Sequence, residues 1–311
     1  MEKYIERCYR SLVEQKDADD VEFIFVNDGS NDNTLSILQD IKAKDSRVVV
    51  VSQNNAGVSV ARNAALTIAN GEYVYLLDGD DYLTKNALFE IKQVLNEFHP
   101  DILISAYNIS KNNTERFISL PFEEGLYYKK DFFAKIPLFP TAPQLVYRMD
   151  VIKEQNIRFD SSIKCGEVYA FTINYIRYID KIFVLNKPTF NYYQRTDSAI
   201  HNPNFQNDIT VIKALSSIYH NGVELEGYGA FVITAFKLMC AFSYNKYLKY
   251  SSDVNAVATI EKVISSDIAK RCIKDTLLKR HKFLKERMIA LYMYIMPKRM
   301  GFQFLHWIIR R

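Results

Sequence analysis

The chain has 311 residues, 48% of them hydrophobic and 24% charged, enough for one large domain or a domain with an appendage. Its net charge of +4 is uneven: from Lys270 onward twelve Lys and Arg oppose only Asp275 and Glu286, so this tail carries +10 and the rest −6. The four cysteines (Cys8, Cys165, Cys240, Cys272) are scattered without a Cys-x-x-Cys pair, which excludes a zinc site or disulfide framework and suggests a reducing compartment. No secretory signal opens the chain and no apolar run reaches the roughly 18 residues of a membrane span, so it reads as cytoplasmic.

In chain order, Tyr4, Ile5, Cys8, Tyr9 and Leu12 recur at helical spacing and predict a helix over residues 2–14. Val21 to Val26 reads as a buried strand, followed by the loop Asn27-Asp28-Gly29-Ser30-Asn31-Asp32. A helix carrying Ile37, Leu38 and Ile41 precedes the strand Val48–Val51, and the small residues of Gly57–Ala69 predict a helix that packs closely on a sheet. Next come a strand ending in acids, a helix from Lys85 to Phe98 and a strand from Asp101 to Ala106. This alternation predicts an α/β fold with parallel strands and right-handed crossovers. Residues 107–200 are less regular and rich in Tyr and Phe, with a helix over Val168–Tyr178 and a strand over Ile182–Leu185. Asn202-Pro203-Asn204 marks a hinge, after which the pattern is helical and apolar. These late helices are candidates for pairing subunits.

The stretch Val74-Tyr75-Leu76-Leu77-Asp78-Gly79-Asp80-Asp81 is the most telling. It reads as a fully buried strand that ends in three carboxylates within four residues. Such crowding raises carboxylate pKa values unless a cation sits among them. A hard divalent ion, Mg²⁺ or Mn²⁺, is the natural partner, and the carboxyl end of a strand is where α/β sheets bind ligands. A solvated turn with helix-capping aspartates is the plainer alternative. In the tail, Tyr292, Tyr294, Phe302, Phe304 and Trp307 lie among the basic residues, as at an anionic membrane surface. RNA would also suit the charge, but no nucleic-acid motif accompanies it, and a solvated helical face remains open.

Four ordered segments resemble glycosyltransferase family 2, the inverting GT-A sugar transferases of bacterial capsule and exopolysaccharide assembly. They are Glu2–Cys8 leading to Val26-Asn27-Asp28-Gly29-Ser30, then Gly57–Asn63, then Leu77–Leu83, and last Tyr192-Tyr193-Gln194-Arg195 with Ser198. The resemblance spans residues 1–200 and implies a Rossmann-like, mostly parallel sheet flanked by helices, with a helical region over 201–311. It implies a UDP-sugar donor, with Asp28 on the uracil, Asp78 on the ribose, Arg62 near the nucleotide or phosphates, and Arg195 on the diphosphate. It assigns the divalent ion to Asp80. It implies a lipid-linked or polysaccharide acceptor at the inner face of the membrane. Asp28 as a helix cap and Arg62 as a surface ion pair are the competing readings. A haloacid-dehalogenase-type phosphatase, suggested by Asp78-x-Asp80 alone, has its acidic strand first in the chain, unlike this one.

Two departures from the family stand out. Its Gly-Glu-Asp before a helix, whose Asp is taken as the general base, is here Gly166-Glu167-Val168, which leaves Glu167 as candidate catalytic base or as a carboxylate favoured by the helix dipole. The family's Trp-x-Lys is replaced near Pro143-Gln144-Leu145. Family members also begin with a central strand that would finish where Met1 stands. Without it, two sheet edges are expected to lack a partner. These departures support a second reading, a catalytically impaired relative that binds a partner protein or lipid.

Overall fold

The amphipathic spacing near the start forms α1 (Glu2–Val13), which buries Ile5 and Cys8. It is followed by β1 (Phe23–Asp28), α2 (Thr34–Lys42), β2 (Val48–Gln53), α3 (Val58–Ile68), β3 (Tyr73–Tyr75), β4 (Tyr82–Leu83) and α4 (Ala87–Phe98). This computed structural model describes residues 1–16, 18–111, 114–135, 144–195, 204–223, 228–250, 252–278 and 284–295. The strand expected over Asp101–Ala106 is β5 (Ile102–Lys111), and the tyrosine-rich middle, which the sequence left irregular, contains β6 (Thr114–Ile118), β7 (Gly125–Tyr128), α5 (Lys129–Lys135), β8 (Leu145–Arg148) and α6 (Met149–Glu154). Then come α7 (Glu167–Ile176) and β9 (Lys181–Tyr193).

The strands form two sheets. β1 and β2 pair in parallel, with Phe23 opposite Val48. A second sheet runs β3-β8-β5-β9-β4, with β6 on β5 and β7 on β9. Here β5 and β9 are parallel, while the β3–β8, β8–β5, β4–β9, β5–β6 and β7–β9 pairs are antiparallel. The expected mostly parallel sheet is therefore mixed. The extra strands come from the middle segment, where β6 follows β5 after two residues, a link only an antiparallel pair can use. β5 lies at the centre, and the run Ile102–Ala106 is fully buried. Asp101 gathers the strand starts: its Oδ2 accepts from the Asp180 and Lys181 N–H groups at 2.9 and 2.8 Å, and its Oδ1 pairs with Arg148 at 3.3 Å.

The starts of β1 and β3 are tied together. Glu22 Oε1, just before β1, accepts from the Asn70 and Gly71 N–H groups, just before β3, at 2.6 and 3.1 Å. Phe25, Tyr75 and Leu77 pack on one cluster around Phe23, Leu83 and Phe190. Yet among the described residues β1 pairs only with β2, and β3 only with β8. β3 is also shorter and less buried than expected: Tyr73, Val74 and Tyr75 are all half-buried, and Leu76 and Leu77 lie outside it.

Two compact units emerge. The first comprises Met1–Phe132, Pro140–Ser161 and Tyr178–His201, and the second Phe133–Phe139, Ser162–Arg177 and Asn202–Arg311. In the second, α7 joins α8 (Phe205–Asp208), α9 (Val211–Val223), α10 (Tyr228–Tyr250), α11 (Val254–Ser265), α12 (Asp267–Leu278) and α13 (Leu284–Ile295). Val211, Ala214, Leu215 and Ile218 of α9 are wholly buried, as are Val232, Ala235 and Met239 of α10. Asn204, part of the expected hinge, caps α8 by accepting from the Asn207 N–H at 3.2 Å; the other two hinge residues lie outside the described ones. No described helix is long and apolar enough to cross a membrane. The tail residues after Ile295, including Phe302, Phe304 and Trp307, lie outside the described residues.

Two local devices in the first unit yield predictions. Asp45 receives a forked ion pair from Arg47 (Nη2–Oδ2 2.8 Å, Nε–Oδ1 3.0 Å), the Arg47 N–H at 3.0 Å and the Tyr9 hydroxyl at 3.1 Å. The Arg47 hydrogen bonds hold its carboxyl down from 3.8 to about 2. The unfolded chain therefore takes up this proton first, and the stability that Asp45 contributes at neutral pH is lost as pH falls from about 4 to about 2. Acid unfolding of Asp45→Asn should be flatter than wild type across that window. Gly29 has φ +68°, and a Cβ there would lie 2.6 Å from the Asn55 N. Gly29→Ala should cost about 1–3 kcal/mol in denaturant unfolding, from left-handed strain and this clash with backbone.

Candidate active site

The loop after β1 positions Asp28. Its carboxylate accepts from Gln53 Nε2 at 2.8 Å, from the Ala56 N–H at 2.9 Å and from the Gly57 N–H at 2.8 Å. Asp28 thus holds the start of α3, and is not a cap for α2 after Asn33. The α2 end instead uses Asp32, which accepts from the Thr34 N–H at 3.1 Å.

From α3, Arg62 reaches the acidic turn. Its Nη2 lies 3.0 Å from Asp78 Oδ1, and its guanidinium sits 5.4 Å from the Phe159 ring centroid. The Arg62 side chain is 11% exposed and that of Asp78 44%, so the pair joins a buried guanidinium to a half-exposed carboxylate. Neighbouring Asn63 anchors the helix by exchanging two 2.8 Å hydrogen bonds with the Phe159 backbone.

Asp78-Gly79-Asp80-Asp81 forms a tight turn between β3 and β4, closed by the Asp81 N–H on the Asp78 carbonyl at 3.0 Å. The Asp80 Oδ2 lies 3.0 Å from Arg195 Nε, an ion pair whose N–H is not aligned as a hydrogen bond; both side chains are 20% exposed. Burial raises the Asp80 pKa, Arg195 opposes that rise and Asp78 adds to it. Asp81 is almost wholly buried, and burial, with the charges of Asp78 and Asp80, pushes its carboxyl up to about 8 against a hydrogen bond from the Tyr193 N–H. That bond, at 2.9 Å to Oδ1, ties the end of β9 to the acidic turn two residues before Arg195.

The first unit therefore brings Asp78, Asp80, Arg62 and Arg195 together at one turn, with Asp28 joined to them through α3. Among the described residues no three carboxylate, imidazole or thiolate groups form a metal cage. Mg²⁺ needs none: it binds through one or two carboxylates and keeps its other positions for water and phosphate oxygens. Half-exposed Asp78 and buried, like-charged Asp80 fit such a site.

The candidate base belongs to the second unit. Glu167 opens α7 directly after Gly166, whose φ of +83° turns the chain into the helix; a Cβ at Gly166 would be 2.9 Å from Ala214 Cβ on α9. Val168, where the family carries Asp, is buried. Ser198 and Pro143 lie outside the described residues, and Gln144 is buried with its Nε2 donating to the Ser105 carbonyl at 3.2 Å.

Sequence reasoning missed two contributors. Asp81 carries no sign of its buried tie to Tyr193, 112 residues away. Arg7, on α1, donates from Nη2 to the Asp80 carbonyl at 2.8 Å, with its guanidinium 4.0 and 4.4 Å from the Tyr193 and Tyr82 ring centroids. The only local hint was that α1 precedes the acidic loop motif. The nearby Cys8 thiol is buried, and burial with the charges of the acidic turn pushes its pKa up to about 12.

Comparison with known proteins accords with this geometry. Residues 1–154 match the model of glycosyl transferase family 2. The chain is 32% identical over 195 residues to a poly(ribitol-phosphate) beta-glucosyltransferase of Bacillus spizizenii, covering 62% of this chain and 30% of that one. It is 25% identical over 210 residues to the uncharacterized glycosyltransferase EpsJ of Bacillus subtilis, covering 65% and 61%. It thus spans less than two thirds of these relatives. Staphylococcus aureus TarS 1–349, solved in complex with UDP-GlcNAc, superposes with a TM-score of 0.72 at 21% identity, over 99% of this chain and 88% of that one. Matched family and shared α/β GT-A fold agree, and the chain belongs to glycosyl transferase family 2.

Proposed function

We propose that the chain transfers a sugar from a UDP-sugar to a lipid-linked or polysaccharide acceptor in cell-surface polysaccharide synthesis, with inversion. The observation that carries this reading is the turn where Asp78 and Asp80 meet Arg62 and Arg195. Cations and carboxylates so arranged suit a diphosphate that gains charge as it leaves. The relatives add support: one is a glucosyltransferase acting on poly(ribitol-phosphate), another a chondroitin synthase, and the TarS structures contain UDP or UDP-GlcNAc.

In this reading residues 1–200 hold the donor. Asp28 takes the uracil, Asp78 the ribose, and Arg62 and Arg195 the phosphates, Arg195 by the paired N–H groups of its guanidinium. Asp80 would hold a Mn²⁺ or Mg²⁺ ion, which when bound would supply Lewis-acid stabilisation of the leaving diphosphate. Glu167 removes the acceptor hydroxyl proton as that oxygen bonds to the anomeric carbon; the carbon–diphosphate bond breaks on the opposite face, and UDP departs with its electron pair.

The basic tail from about residue 270 docks the protein at the inner face of the membrane. Lys270, Arg271 and Lys274 are exposed on α12, and α13 exposes Met288 (59%) and Leu291 (48%) one turn apart. Basic and apolar groups so exposed suit an anionic lipid interface. Self-association through these helices belongs to the same reading; a nucleic-acid partner does not.

Buried Val168 favours a second reading, a relative that binds donor or partner without turnover. Calorimetry of UDP should show Mn²⁺-dependent binding that Asp80→Ala abolishes; unchanged binding in the variant would sink the metal assignment. Glu167→Gln should bind UDP like wild type and lose turnover by roughly 10²–10⁴-fold. A wild type that binds UDP but turns over no acceptor would establish the second reading.

A further inference from the structure

We propose that Arg7 is a positioning residue for the diphosphate end of the donor, acting through the backbone of the acidic turn; the inference rests on the reading given under Proposed function. Three cations face the three carboxylates of this turn, but they do so differently. Arg62 and Arg195 lie against the Asp78 and Asp80 carboxylates themselves, at 3.0 Å each. A ligand that needs those oxygens, or those guanidiniums, must share or displace these pairs. Arg7 instead bonds the Asp80 backbone carbonyl at 2.8 Å, which leaves both carboxylate oxygens of Asp80 to other partners. It is a resident counter-charge that does not compete with the ligand.

Its surroundings fix it there. The guanidinium faces the Tyr193 ring at 4.0 Å and the Tyr82 ring at 4.4 Å, with Tyr4 at 5.8 Å. Tyr82 directly follows Asp81, and Tyr193 comes two residues before Arg195. One side chain therefore touches both arms of the site, the acidic turn and the end of β9. Tyr82 is itself tied down by donating to Ser110 Oγ at 3.0 Å. The Tyr193 N–H also joins the two arms by donating to Asp81. α1 lies close against the turn, since a Cβ on Gly79 would sit 3.4 Å from the Ile5 Cδ1. Only a planar, delocalised cation both stacks between rings and donates in its plane, so lysine cannot reproduce this contact.

A general structural role would weaken every ligand equally. A positioning role at the diphosphate should spare the nucleoside end, which Asp28 governs from across α3. The test therefore compares UDP with Mn²⁺, by calorimetry, against uridine, by ligand-observed NMR, in wild type, Arg7→Lys and Arg7→Met. The expected result is at least tenfold weaker UDP binding in both variants, the loss of one charge-assisted contact, with uridine affinity within twofold of wild type. Equal losses for uridine and UDP, or no loss for either, would overturn the proposal. If Arg7→Met does not fold, Arg7→Lys decides, and failure of both to fold makes Arg7 structural and also overturns it. If the wild type binds neither ligand, the donor reading itself falls.

Discussion

Three carboxylates within four residues repel one another, and the first unit is arranged around containing that repulsion. Each neighbouring element brings a counter-charge or a donor to the turn: Arg7 from α1, Arg62 from α3, and Arg195 with the Tyr193 N–H from the end of β9. Burial works against this by disfavouring ionised carboxyls, most strongly at Asp81. Asp81 is enclosed and tied to β9, whereas the Asp78 side chain is half-exposed. One short turn thereby carries carboxylates of opposite exposure three residues apart.

The units differ in how they place chemistry. In the first, helices and strands meet at a turn through ion pairs that bridge long stretches of sequence. In the second, Gly166 lets α7 approach α9 closely enough that Glu167 begins a helix whose remaining turns are mostly buried, Val168 among them. A half-buried carboxylate at the first turn and a buried apolar residue one step later follow directly from helical geometry.

Much of this was legible because it is local. Apolar periodicity gave α1, α2, α3 and α4 to within a few residues, and the acidic turn announced itself by charge alone. The middle was not legible: β6, β7 and β8 are short, and β8 is buried on both faces over Leu145–Tyr147, so its residues show no alternation to mark a face. β3 was overestimated because an apolar run signals burial but not which of its residues find a ladder partner. The spacing motifs located Asp28, Arg62, Asp78, Asp80 and Arg195, but not what each one touches. Arg7 lies 73 residues from the carbonyl it holds, and nothing in its immediate neighbours distinguishes it from a solvent-facing helix cation.

The open sides of β1 and β3 have a practical corollary. β1 and β3 each present one side of their backbone with no strand on it among the described residues, and both are rich in aromatic and β-branched residues. Extended apolar backbone of this kind is a template for strands from other molecules. Those two edges, with the outer sides of β2 and β4, are where a strand from another molecule would find open backbone donors and acceptors among the described residues.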